Sequence, residues 1–182
     1  MNPKVSDSYR LYYIDKSLKY SPREYVEKLL NYRLGEEVDF SSSEEPRVYL
    51  GKGWSNQGER GIWTKDFEAD LILRIKPDIE RDLELVVQLQ AFVNELSSRQ
   101  DVELLVNGEA VTQWTFVHGE GLSECRAIIP IELVKQDSLL QITFRIHNPS
   151  LPTTQGLSIN TPMLGIGMHR LRIVELTSEE DV

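Results

Sequence analysis

The chain has 182 residues, one cysteine and a formal net charge of −9. That length suits one domain with a sizeable core, and the excess of acid repels phosphate, which argues against nonspecific binding to nucleic acid or to an anionic membrane surface. The lone Cys125 excludes an intrachain disulfide and a multi-cysteine zinc site, and reads as a buried spectator thiol.

Met1-Asn2-Pro3-Lys4 leads into polar residues, and no later apolar run is long enough to cross a bilayer. The chain as given is therefore expected to be soluble and cytoplasmic, without direct membrane insertion, or to lie at the cell surface if it is excised from a larger membrane protein. Tyr9, Leu11, Tyr12, Tyr13 and Ile14 form an aromatic cluster too apolar for a free tail. Ser21-Pro22-Arg23-Glu24 then supplies an N-cap, a proline at the first helical position and a capping-box glutamate. With Tyr25, Val26, Leu29 and Leu30 on one face and Gly35 as the C-cap, this predicts a helix over about 22–34. Residues 1–45 are expected to form an N-terminal segment packed on the main domain.

From Arg47 the period changes to two. Leu71, Leu73 and Ile75 share one face, and Leu83, Leu85, Val87, Leu89 and Ala91 share another. Asn107-Gly108 between Val102–Val106 and Glu109–Phe116 predicts a type I′ hairpin, with Leu104 opposite Val111 and Leu105 opposite Ala110. Further strands are expected over 126–131, 139–146 and 168–176, the last with His169, Leu171 and Ile173 on one side. Short strands separated by turn residues predict a mainly β fold: a two-layer antiparallel β-sandwich, jelly-roll-like, over residues 46–176, with a short N-terminal helix and an acidic tail at 177–182.

No catalytic signature emerges. Gly121-Leu122-Ser123-Glu124-Cys125 lacks the last glycine of a nucleophile elbow and its strand-to-helix setting. His118, His147 and His169 have no metal-ligand spacing, and no EF-hand pattern is present. No catalytic residue, metal ligand or cofactor is therefore assigned, although a structural calcium ion is compatible with such a sandwich. Gly51-Lys52-Gly53 and Gly165-Ile166-Gly167 lack the rest of either nucleotide fingerprint and read as glycines at strand ends or bulges.

The run Gly53-Trp54-Ser55-Asn56-Gln57-Gly58-Glu59-Arg60-Gly61-Ile62-Trp63 is the richest in ligand chemistry. Indole rings stack on the C–H faces of sugars, and amide, carboxylate and guanidinium groups bond their hydroxyls. Trp54, Asn56, Gln57, Glu59, Arg60 and Trp63 supply that mixture. The competing reading makes Trp54 and Trp63 core anchors, with Trp114 on the returning hairpin strand in the same position.

In order along the chain, Val38-Asp39-Phe40, Gly53-Trp54-Ser55 with Glu59, Gly61 and Trp63, Val106-Asn107-Gly108 with Trp114, Ile129-Pro130, and Asn148-Pro149 leading to Leu164-Gly165-Ile166-Gly167 resemble a bacterial β-sandwich domain. That accessory domain is associated with membrane glycosyltransferases and cell-surface polysaccharide proteins. Arg60 stands where the pattern has a second aromatic, and Asn160 where it has an aspartate. The resemblance implies a noncatalytic carbohydrate-associated module that recognises or positions a glycan, with Asn160 joining the ligand candidates. The alternative is a structural or protein-interaction module that meets a partner, or a second copy, through its N-terminal helix and sandwich surface. A sandwich hydrolase or lyase is the third reading, and it lacks identifiable catalytic residues.

Overall fold

The structure, a computed structural model, describes residues 31–41, 45–55, 61–75, 78–95, 97–135, 139–149 and 165–177. Among the described residues there are nine strands: β1 Glu37–Asp39, β2 Ile62–Trp63, β3 Glu68–Arg74, β4 Leu83–Ala91, β5 Arg99–Val106, β6 Glu109–Val117, β7 Ser123–Ile129, β8 Leu139–Ile146 and β9 Ile166–Glu175. They form two antiparallel sheets. One runs β1-β9-β4-β7 with β2 also paired to β9, and the other runs β3-β8-β5-β6. After β3 the chain passes from sheet to sheet at every connection except the β5–β6 hairpin, which gives the expected two-layer antiparallel sandwich.

Alternation explains the core. Leu71 and Leu73 of β3, Leu83, Leu85, Val87 and Leu89 of β4, Val102 and Leu104 of β5, and Ile142 and Phe144 of β8 are fully buried between the layers. Each such side chain contributes about 1.5–3 kcal/mol by leaving water. Cys125 lies in the same cluster, where burial pushes its thiol up to about 11 and leaves it unreactive at neutral pH.

The Asn107-Gly108 turn forms, with φ of 50° and 90°, and pairs Val106 with Glu109 and Leu105 with Ala110. Leu104 then faces Thr112, not Val111, because a bulge leaves Val111 without a partner. A second bulge lies between β4 and β9. Gln88 pairs with Arg170 and Leu89 with Met168, so His169 is the extra residue. The inward set of β9 is consequently Ile166, Met168, Leu171 and Ile173, and His169 drops out of the face it was expected to share. Strand β7 stops at Ile129, because Pro130 has no N–H to continue the ladder and leads into the one-turn helix α1, Ile131–Lys135.

The predicted helix over 22–34 is not supported. Residues 22–30 lie outside the described residues, and the segment from Asn31 to Leu34 is not helical. Asn31 forms a parallel bridge with Arg74, and the Tyr32 N–H donates to the Arg74 carbonyl at 2.8 Å. The Tyr32 ring is 2% exposed, its hydroxyl donates to the Glu36 carbonyl, and the Ile173 N–H donates to that hydroxyl at 2.8 Å. Burying this tyrosine at the sheet edge outweighs local helix propensity. Gly35 has the expected positive φ of 86° but serves a tight turn, where the Glu36 N–H bonds the Arg33 carbonyl. Besides α1, the helical structure among the described residues is one 3₁₀ turn, Glu45–Tyr49.

At the open side of the sandwich, the Trp114 indole N–H on β6 reaches the Arg126 carbonyl on β7 at 3.3 Å. It joins the edge strand of one sheet to that of the other.

Candidate functional site

Residues 50–55 run along the free edge of β3 and then cross to the other sheet. The Gly51 N–H donates to the Asp70 carbonyl at 2.7 Å, and the Asp70 N–H donates to the Lys52 carbonyl at 3.0 Å. Farther on, the Lys65 N–H donates to the Gly53 carbonyl at 2.8 Å and the Ser55 N–H to the Trp63 carbonyl at 2.8 Å. Gly53 makes this path feasible. Its φ is 85°, and a Cβ there would lie 1.8 Å from the Glu68 carbonyl oxygen.

The crossing carries Trp54 inward. The residue is 4% exposed, its indole N–H donates to the Asp70 carbonyl at 2.8 Å, and its ring meets Phe144 edge-on at 5.9 Å. Both ring faces belong to the core, so Trp54 is an anchor and offers no sugar platform. Trp63 takes the opposite side of its sheet. Its neighbour Ile62 pairs with Met168 in the core, so Trp63 and its partner Gly167 point outward. The half-buried indole covers Gly167, where a Cβ would fall 2.7–2.9 Å from ring atoms, and it meets Phe92 edge-on at 6.3 Å. Of the other sequence candidates, Asn56, Gln57, Glu59, Arg60 and Asn160 lie outside the described residues. The two tryptophans therefore do not form one platform.

A groove of about 510 Å³ opens instead at the start of β3 and the end of β8, lined by Lys52, Asp66, Phe67, Glu68, Arg145, Ile146 and His147. Phe67 is 51% exposed there, held by its carbonyl, which accepts from the Ile146 N–H at 2.7 Å. The β3–β8 and β5–β8 registers place Glu68, Arg145 and Glu103 side by side across three strands of the outer face. The Arg145 guanidinium donates to Glu68 at 2.9 Å and to Glu103 at 2.8 Å, while Lys52 Nζ donates to Glu68 at 3.2 Å. Arg145 first, and then Lys52, hold the Glu68 carboxyl below its ordinary pKa.

Two residues along β3, Asp70 behaves in the opposite sense. It is 5% exposed and accepts from Thr143 Oγ1 at 2.9 Å and Gln141 Nε2 at 3.2 Å, yet burial raises its pKa. A general acid needs a raised pKa and access to substrate. Glu68 has the access with a lowered pKa, and Asp70 has the raised pKa without the access. Neither carboxylate meets both conditions for proton transfer. Among the described residues, no three His, Cys, Asp or Glu side chains gather as a bound cation would need, and no helix is long and apolar enough to cross a membrane.

Sequence reasoning missed Phe67 because odd-numbered positions of β3 face the core, and extending that alternation backward buries it. The signal that would have found it is Asp66-Phe67-Glu68, an aromatic between two acids just before the strand begins.

No protein-family model matches the chain, and no curated protein matches it in sequence. Solved structures are similar to it. The insecticidal delta-endotoxin Cry8Ea1 from Bacillus thuringiensis aligns over 81% of this chain and 25% of its own, with a TM-score of 0.52 and 10% identity. This chain thus corresponds to about a quarter of that toxin's length. The CBM22-1 xylan-binding domain from Paenibacillus barcinonensis Xyn10C aligns over 81% of this chain and 99% of its own, with a TM-score of 0.47 and 12% identity. The CBM36-1 domain of a multidomain xylanase from the hindgut metagenome of Trinervitermes trinervoides aligns over 79% and 98%, with a TM-score of 0.45 and 10% identity. The likeness to the endotoxin concerns the fold alone: a two-layer β-sandwich.

Proposed function

We propose that the protein is a noncatalytic module that recognises or positions a glycan, and that the groove beside Phe67 is its first platform. The observation that carries this reading is the exposed Phe67 ring bordered by side chains already fixed in place. The ring offers an apolar face to sugar C–H groups, and Glu68, Arg145 and Lys52 present charged hydrogen-bonding groups held by one another. Groups locked in advance lose little entropy when a ligand arrives. Trp63, with Asn56, Gln57, Glu59, Arg60 and Asn160, is proposed as a second contact region. Association with a membrane glycosyltransferase, which the sequence resemblance implies, belongs to the same proposal.

A glycan array probed with the wild-type chain, with and without calcium, and with Phe67→Ala tests the reading. Binding should weaken about tenfold in the variant, the scale of one aromatic stacking contact, while its circular dichroism spectrum stays unchanged. A blank array from folded wild-type protein would remove the glycan reading.

A further inference from the structure

We infer that the groove selects uncharged glycans over anionic ones, an inference that rests on the glycan reading above. Basic residues in a binding groove ordinarily invite carboxylate or sulfate groups, and this groove has Lys52, Arg145 and the imidazole of His147. Lys52 and Arg145 are already engaged. Lys52 Nζ lies 3.2 Å from one Glu68 carboxylate oxygen, and Arg145 Nε lies 2.9 Å from the other. Arg145 also donates to Glu103 at 2.8 Å, and Lys52 also lies 4.0 Å from Asp70.

Asp66 adds a further carboxylate to the lining. Two cations thus stand against the carboxylates of Asp66, Glu68 and Glu103 before Asp70 is counted, in a chain whose net charge is −9. An incoming sugar carboxylate must share Lys52 or Arg145 with Glu68 or Glu103 and so sit next to a like charge. A neutral sugar hydroxyl meets no such obstacle. It can donate to Glu68 or Glu103 while their pairing with the cations persists, since a carboxylate has lone pairs to spare.

The test uses an array carrying neutral hexasaccharides of glucose, xylose and mannose beside galacturonate hexamers, followed by titration calorimetry at low salt on wild type and Glu68→Gln. The expected result is binding of a neutral hexamer with the galacturonate hexamer at least about tenfold weaker, the scale of one unit-charge repulsion near a protein surface. In Glu68→Gln, which takes one carboxylate away from Lys52 and Arg145, that gap should narrow. Equal or tighter binding of galacturonate by the wild type would overturn this inference and leave the glycan reading standing. An unchanged gap in folded Glu68→Gln would overturn it as well, because Glu68 would not be the discriminating group. If no hexamer binds, both fall together.

Discussion

Trp54 and Trp63 sit nine positions apart in one glycine-rich run, and they end on opposite sides of the molecule's architecture. Trp54 lies between the sheets with its N–H on the Asp70 carbonyl, whereas Trp63 lies on the outer face over Gly167. What separates them is the glycine each uses. Gly53 adjoins Trp54 and lets the backbone press against β3, turning the ring inward. Gly167 lies across the ladder from Trp63 and provides a flat backbone surface for the ring to cover. Local composition announces that an indole and a glycine belong together, but the strand pairing decides which face of a sheet they share.

Substitutions should widen this contrast. Trp54→Ala is expected to cost about 3–5 kcal/mol in chemical denaturation, as for other buried aromatics. Gly53→Ala should cost about 3 kcal/mol, through strain at positive φ and the clash with the Glu68 carbonyl. Trp63→Ala and Gly167→Ala should each cost about 1 kcal/mol, because a surface ring can swing away or be lost without opening the core. If Trp63→Ala proves as damaging as Trp54→Ala, the outer position assigned to Trp63 is wrong.

The contrast extends along β3 to its two carboxylates, where the expected effects are smallest. Glu68, whose folded pKa is lowered, contributes stability that is present above 4.5 and lost as pH falls through its folded value. Asp70, whose folded pKa is raised, contributes stability that is present below 3.8 and lost as pH rises through its folded value. Melting temperatures of Glu68→Gln and Asp70→Asn across the acid range should therefore diverge from wild type in opposite senses. Parallel curves would contradict the assigned surroundings of one of the two.

Much of this architecture was legible from period and turn chemistry. Asn107-Gly108 specified its hairpin, and the alternating leucines of β3 and β4 specified which residues meet between the sheets. Bulges escaped, because an extra residue such as Val111 or His169 shows only as a shift of phase beyond it, which a short strand read from one end does not reveal. Tyr32 escaped for a different reason. Its place is fixed by partners at Arg74 and Ile173, more than forty positions away, and no local capping pattern reports them. The candidate site was legible in its chemistry, an aromatic among polar groups, and illegible in its location. Phe67 and Arg145 lie 78 positions apart and come together only through the β3–β8 register.

The Trp114 bond to the Arg126 carbonyl has a consequence for the protein in crowded solution. Strands β6 and β7 are the outermost members of their respective sheets on that side, and an unpaired strand margin is where one chain recruits another into a growing ladder. By spanning the two margins, the indole occupies an acceptor on β7 and places a bulky ring in the approach to both strands. On the outer face of β7, the Arg126 side chain is tied to Glu84 and Glu124, adding charge that an incoming strand would have to strip of water. The same tryptophan that ties the layers together thus also stands where an added strand would have to approach.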